Sequence, residues 1–255
     1  MVVQWDAQSG EQIMRFELKH VIFDVKYSLD GTKLAGGGGS SSVVVWHAET
    51  GELIRVLRYT HACSLWSISF SPDGTRIASG GADRYVRVWD ISSGRQVVAF
   101  GEHEGGVLAC CWSPCGQSIV SGSHDRSVRV WDIPGRTLQT CMFGHNVGDH
   151  GCTCREGETI AACPLVGHRH FVRAVAFSRT GLVASGSTDG TCKVWDAATG
   201  RLVRSMEMGA MIFGLDFGED WLRDELCLAF AMGQKECPPS EHVICITTLG
   251  RTRWR

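Results

Sequence analysis

Along residues 70–100, FSPDGTRIASGGADRYVRVWDISSGRQVVAF, four short apolar runs alternate with three polar turn signals. Ser71-Pro72-Asp73-Gly74 closes the first run: proline presets φ at the second turn position, and glycine accepts a crowded or positive-φ position. Gly80-Gly81-Ala82-Asp83 separates the second run from the third, and Ser92-Ser93-Gly94 the third from the fourth. Tyr85-Val86-Arg87-Val88-Trp89 alternates in side-chain type with period two, as a strand does. Four short strands joined by loops of a few residues predict an antiparallel meander. A single sheet of that kind has two faces to bury and needs like neighbours to bury them.

Those neighbours are written in the chain. Trp5, Trp46, Trp89, Trp131 and Trp195 are spaced by 41, 43, 42 and 64 residues, and the last spacing is one period of 42 plus an insertion of 22. An aspartate stands six before the tryptophan at Asp83, Asp125 and Asp189, and a serine ten before at Ser79, Ser121 and Ser185. Histidines follow the tryptophans by 14 or 15 at His20, His61, His103 and His145. Full units are expected over 21–58, 63–100, 105–143 and 169–207. The first is worn: Gly36 and Ser40 stand at the serine and aspartate positions, and Gly36–Gly39 predicts a loose or bulged strand end. Residues 145–168 read as a degenerate unit or an insertion. Residues 2–18 supply the last two strands of a blade, and 210–249 supply strands that could complete it, with Cys237-Pro238-Pro239-Ser240 breaking the second meander.

In these words the chain resembles the WD-repeat β-propeller family: VRVWD at 86–90 and 128–132, CKVWD at 192–196, the weaker VVQWD and VVVWH at 2–6 and 43–47, FSPDG at 70–74, and SGSHD and SGSTD at 121–125 and 185–189. The resemblance implies an all-β fold of four-stranded antiparallel blades around a central channel, one domain over 1–255. Five or six blades can be counted, short of the family's usual seven. It also implies that His61, Ser79, Asp83 and Trp89, the set His103, Ser121, Asp125 and Trp131, and the set His168, Ser185, Asp189 and Trp195 are buried hydrogen-bond networks. A Ser-His-Asp triad is the competing reading, but a triad occurs once and needs an exposed nucleophile, whereas these sets recur once per blade.

Binding residues are sought on one rim, where loops enter each first strand. The position of Trp66 is occupied by Phe23, Leu108, Arg173 and Phe213 in the other units, and the residue before the aspartate reads Ala82, His124 and Thr188. Aromatics and arginine are the types that dominate binding hot spots. Strand parity, however, groups Phe23, Leu108 and Phe213 with apolar positions two and four later, which places them in the core and leaves Trp66 and Arg173 on the surface. A second chemistry lies in the Cys/His-rich insertion: His145, His150, Cys152, Cys154, Cys163, His168 and His170 are ligand types for zinc, and the Cys152/Cys154 pair could sense redox state. Its C-x-C spacing departs from paired zinc motifs.

Composition narrows the field. The net charge is −2, which gives no electrostatic case for nucleic acid or an anionic membrane, and no apolar run nears the roughly 20 residues that span a bilayer. The start lacks a signal-peptide pattern and Asn146, the sole asparagine, precedes Val-Gly, so the 12 cysteines are read as reduced thiols of a cytoplasmic or nuclear, not secreted, protein. Arg251, Arg253 and Arg255 read as a solvated tail. The expected function is a non-catalytic scaffold without cofactor that holds other proteins, as part of a multiprotein complex, with a metal-binding or redox-sensing propeller as the alternative.

Overall fold

The computed structural model describes residues 2–17, 20–58, 61–142, 167–220, 225–233 and 242–248, with side chains through Phe217. Among the described residues every regular element is a strand, and the 21 strands form six antiparallel sheets. Sheet I holds β1 (Val2–Trp5) and β2 (Gln12–Phe16). Sheet II holds β3 (Ile22–Tyr27), β4 (Lys33–Gly38), β5 (Val43–His47) and β6 (Leu53–Leu57). Sheet III holds β7 (Leu65–Phe70), β8 (Arg76–Gly81), β9 (Val86–Asp90) and β10 (Gln96–Phe100). Sheet IV holds β11 (Val107–Trp112), β12 (Ser118–Ser123), β13 (Val128–Asp132) and β14 (Thr137–Met142). Sheet V holds β15 (Val172–Phe177), β16 (Leu182–Ser187), β17 (Thr191–Asp196) and β18 (Leu202–Glu207). Sheet VI holds β19 (Met211–Asp220), β20 (Glu225–Gly233) and β21 (His242–Thr248). Sheets II to V are four-strand meanders, each strand paired with the next in the chain.

The core lies between sheets. Val45 and Leu57 of sheet II pack on Leu65, Ile68 and Trp89 of sheet III, and Val86, Val88 and Phe100 of sheet III pack on Val107 and Trp131 of sheet IV. Phe100 stacks on the Trp131 ring with centroids 4.9 Å apart. The same pattern joins IV to V, V to VI and I to II, where Phe16 meets Trp46 at 5.2 Å. Sheets II to V therefore each give one face to the predecessor and one to the successor. That solves the two-face problem that a lone meander poses, at about 25 cal/mol per Å² of apolar surface removed from water.

One glycine in each of sheets II to V sets how closely the next sheet approaches. A Cβ added at Gly37, Gly80, Gly122 or Gly186 would stand 2.5, 2.6, 2.6 or 2.4 Å from Leu65, Val107, Val172 or Ile212, the second residue or the first of the next sheet's opening strand. The run Gly36–Gly39 is accordingly no loose end. β4 pairs with β3 and β5 through Gly37 and is buried, and the register shift of that hairpin falls on β3. Absent side chains at these glycines serve packing, where the sequence suggested slack.

The two ends of the chain contribute sheets with fewer than four described strands. β1 and β2 form a sheet of their own, and β21 pairs with β20 as the third strand of sheet VI.

Candidate functional site

The repeated polar sets lie sealed between strands. Trp89 Nε1 donates to Ser79 Oγ at 3.1 Å, His61 Nε2 lies 2.8 Å from the same hydroxyl, and His61 Nδ1 lies 2.7 Å from Asp83. In sheet IV, Trp131–Ser121, Ser121–His103 and His103–Asp125 measure 2.8, 2.7 and 2.7 Å. In sheet V, Trp195–Ser185, Ser185–His168 and His168–Asp189 measure 2.8, 2.7 and 3.3 Å. Donor counting fixes the direction. The indole N–H only donates and the carboxylate only accepts, so each serine donates its proton to a neutral Nε2, and Nδ1–H donates to the aspartate. Burial pushes all three imidazoles below the ordinary histidine range, against the raising pull of their aspartates. Burial would raise Asp125 too, but hydrogen bonds from His103 and Ser127 outweigh it and hold the carboxyl far below its usual range. Ser79, Ser121 and Ser185 are fully buried, so no substrate reaches a hydroxyl of these sets.

The open chemistry lies at the centre. A channel of about 890 Å³ is lined by the opening strands β3, β7, β11, β15 and β19. Neighbouring walls are tied along it: Asp24 Oδ2 accepts from Ile68 N at 2.9 Å, and Ser67 Oγ accepts from Cys110 N at 3.1 Å. Every one of these strands carries the same irregularity near its start. The ladder runs Ile22↔Gly38 then Asp24↔Gly37, Leu65↔Gly81 then Ser67↔Gly80, and Val107↔Ser123 then Ala109↔Gly122. It continues Val172↔Ser187 then Ala174↔Gly186, and Ile212↔Met232 then Gly214↔Ala231. The skipped residues are Phe23, Trp66, Leu108, Arg173 and Phe213, and all five line the channel.

Parity therefore misplaced three of them. Phe23 is 54% exposed, Phe213 41%, and Leu108 is half-buried; none belongs to the core. A bulge sets two residues against one, which resets the alternation and re-aims the extra side chain. The residues just before the bulges, Leu65, Val107, Val172 and Ile212, take the core places instead, at 0% exposure.

Around Trp66 the mouth carries a strip of rings. Trp66 meets His124 edge-on at 5.2 Å, His124 lies 4.4 Å from Phe171, and Phe171 4.2 Å from His170. His170 Nδ1 is 2.6 Å from Thr188 Oγ1. The Trp66 ring rests on Gly106, where a Cβ would lie 2.4 Å from Cζ3. Farther round, the exposed Arg173 guanidinium lies 5.4 Å from the Phe213 ring centre. Burial and the charge of Arg173 lower the pKa of His124. Phe171 and Gly106 were not among the sequence candidates. What brings them in is visible only in the structure: the residue before each aspartate, at His124 and Thr188, donates its N–H to the carbonyl of Gly106 and Phe171, two residues ahead of the bulge. His150, Cys152, Cys154 and Cys163 lie outside the described residues, and among those described no group of three His, Cys, Asp or Glu is placed to hold a metal ion.

Sealed networks at a fixed period, stacked meanders and a central channel define a WD-repeat β-propeller architecture. Residues 51–90, 94–132 and 159–196 match the family model of the WD domain, G-beta repeat, so the chain carries three WD repeats. It is 43% identical over 63 residues to small ribosomal subunit protein RACK1z of Oryza sativa subsp. japonica, 24% of this chain and 19% of that protein. RACK1y of the same rice is 43% identical over 61 residues, 23% and 18% of the two chains. The matched stretch thus spans about a fifth of the length of these curated relatives. Among solved structures, a chain of the crystal structure of a mitotic checkpoint complex superposes with a TM-score of 0.69 at 20% identity, over 91% of this chain and 67% of that one. At that identity the likeness concerns the fold.

Proposed function

We propose that this protein is a non-catalytic scaffold that holds a segment of another protein across the mouth of its channel. The observation that carries the reading is the repeated bulge: it sends Phe23, Trp66, Leu108, Arg173 and Phe213 to one opening, free of any core duty. Trp66 anchors the strip through His124 toward Thr188, and a channel mouth with two exposed phenylalanines and an exposed arginine suits an apolar side chain flanked by a carboxylate. The catalytic alternative finds no accessible nucleophile in the sealed sets. The curated relatives' printed names place them in a small ribosomal subunit, which favours work inside a multiprotein assembly.

The test is affinity purification of the tagged chain from cells, comparing the wild type with Trp66→Ala and Arg173→Glu. Both side chains lie outside the core, so the variants keep their melting temperature and lose co-purifying proteins. An unchanged set of proteins with both variants rejects the mouth as the binding site.

A further inference from the structure

Sheet V differs from its sister repeats at one outer corner. In sheet III, the turn residue after the network aspartate is Arg84, the next is Tyr85, and two further on stands Arg87. Arg87 donates to Asp83 at 2.6 Å and lies over the Tyr85 ring at 4.5 Å, filling the corner. Sheet IV has Arg126, Ser127 and Arg129 at these places, and Arg129 pairs with Glu102 at 3.7 Å. Sheet V has Gly190, Thr191 and Lys193. Gly190 keeps the left-handed backbone of Arg84 and Arg126, with φ of 82° against 72° and 71°, and drops the side chain. A cavity of about 470 Å³ opens where the larger groups stood, lined by Arg169, Asp189, Thr191, Lys193, Ser205 and Glu207 among others.

The lining carries two cations, Arg169 and Lys193, and two carboxylates, Asp189 and Glu207, but their hydrogen bonds are unevenly committed. Asp189 is saturated, accepting from His168, from the Arg169 N–H at 2.7 Å, and from the N–H and hydroxyl of Thr191 at 2.8 and 2.6 Å. Lys193 is only 7% exposed and makes one hydrogen bond, to Ser205 Oγ at 2.9 Å. An ammonium has three donors, so two remain unfilled by the described residues. The Arg169 guanidinium makes no ion pair among the described residues, and Ser205, as acceptor, still has its own proton to give. Of the two carboxylates facing these donors, Asp189 has its oxygens taken up by His168, Arg169 N–H and Thr191, and Glu207 lines the same cavity. Two cations and a hydroxyl converging on a cavity suit an anion that offers several oxygens in different directions, which a phosphoryl group does and a planar carboxylate does less well.

We propose that this corner of sheet V is an oxyanion site that takes the phosphoryl group of a phosphate monoester, or free phosphate. It lies on the outer part of the blade, apart from the channel mouth, and stands independently of the scaffold reading. Burial lowers the pKa of the Lys193 ammonium, Asp189 and Glu207 pull it back up, and the Arg169 charge adds to the lowering.

The experiment is calorimetric titration of the full chain, at fixed ionic strength, with inorganic phosphate, O-phosphoserine and acetate. Phosphate and phosphoserine should give saturable binding, and acetate should bind at least about tenfold more weakly. The tighter of the first two names the source of the phosphoryl group. Lys193→Arg keeps the charge and rebuilds the corner as in sheets III and IV; Arg169→Gln removes one cation at an exposed position. Each should weaken phosphate binding at least about tenfold with an unchanged melting temperature. The proposal falls if no saturable binding occurs, if acetate binds as well, or if Lys193→Arg binds phosphate like the wild type, since that result reports general surface charge.

Discussion

At the scale of residues, the three His–Asp pairs make the molecule sensitive to acid. The imidazoles are held neutral by burial, below their ordinary value of 6.5, so the unfolded chain takes up protons first as pH falls. Stability is complete above about pH 6.5 and declines below it. Asp125 and Asp189, held low by their partners, add a second loss below their ordinary 3.8. Melting curves should be flat from pH 8 to 7 and shift down from about pH 6.5 to 5; a melting temperature that rises on acidification contradicts neutral, buried histidines. His103→Ala strips both Ser121 and Asp125 of a partner and should cost about 3 kcal/mol in urea unfolding. The thiols divide by the same physics. Burial pushes Cys110 and Cys192 up to about 12, whereas Cys115 sits in an exposed turn and is lowered by hydrogen bonds from Ser113 and the Gln117 N–H. Among the six cysteines whose side chains are described, timed iodoacetamide labelling read by peptide mass should reach Cys115 first and Cys110 and Cys192 last.

At the scale of elements, the meanders were legible because their turn residues and their period agree over five tryptophans. What the pattern hid was one residue per opening strand. A bulge leaves no composition signal: Phe23 and Phe213 look like core residues, and only the ladder shows that they have lost their partner. The glycines of β4 misled for the converse reason, because the neighbour that needs their emptiness, Leu65, lies 28 residues further along the chain from Gly37. Gly122 gives a direct test. A methyl there meets Val172 Cγ1 at 2.6 Å, so Gly122→Ala should cost about 1–3 kcal/mol through overpacking. Gly181→Ala, with open space around it and φ of +83°, should cost about 1–2 kcal/mol from backbone strain alone. Equal melting temperatures for wild type and Gly122→Ala would remove the packing account. The networks, by contrast, were readable residue by residue, since their spacing repeats with the blades.

At the scale of the whole molecule, the sheets form a chain of nearest-neighbour contacts, and position in that chain decides what a residue contributes. Trp131, in the middle, is fully buried; Trp5, at the same repeat position in two-stranded sheet I, is 60% exposed. Trp131→Ala should cost about 3–5 kcal/mol and Trp5→Ala about 0.5 kcal/mol or less, measured by denaturant unfolding. Hydrogen exchange should follow the same gradient, fast in β1 and β2 and slow in sheets III and IV. Comparable costs for the two tryptophans would mean that sheet I is as well supported as the middle. The bulges have a further consequence at this scale. Each repeat keeps one side chain that answers neither to its ladder nor to the layers beside it, so the display at the opening can be rewritten letter by letter while the fold stays as it is. A library randomised at those five places should yield mostly soluble, cooperatively folded members that differ in what they grip.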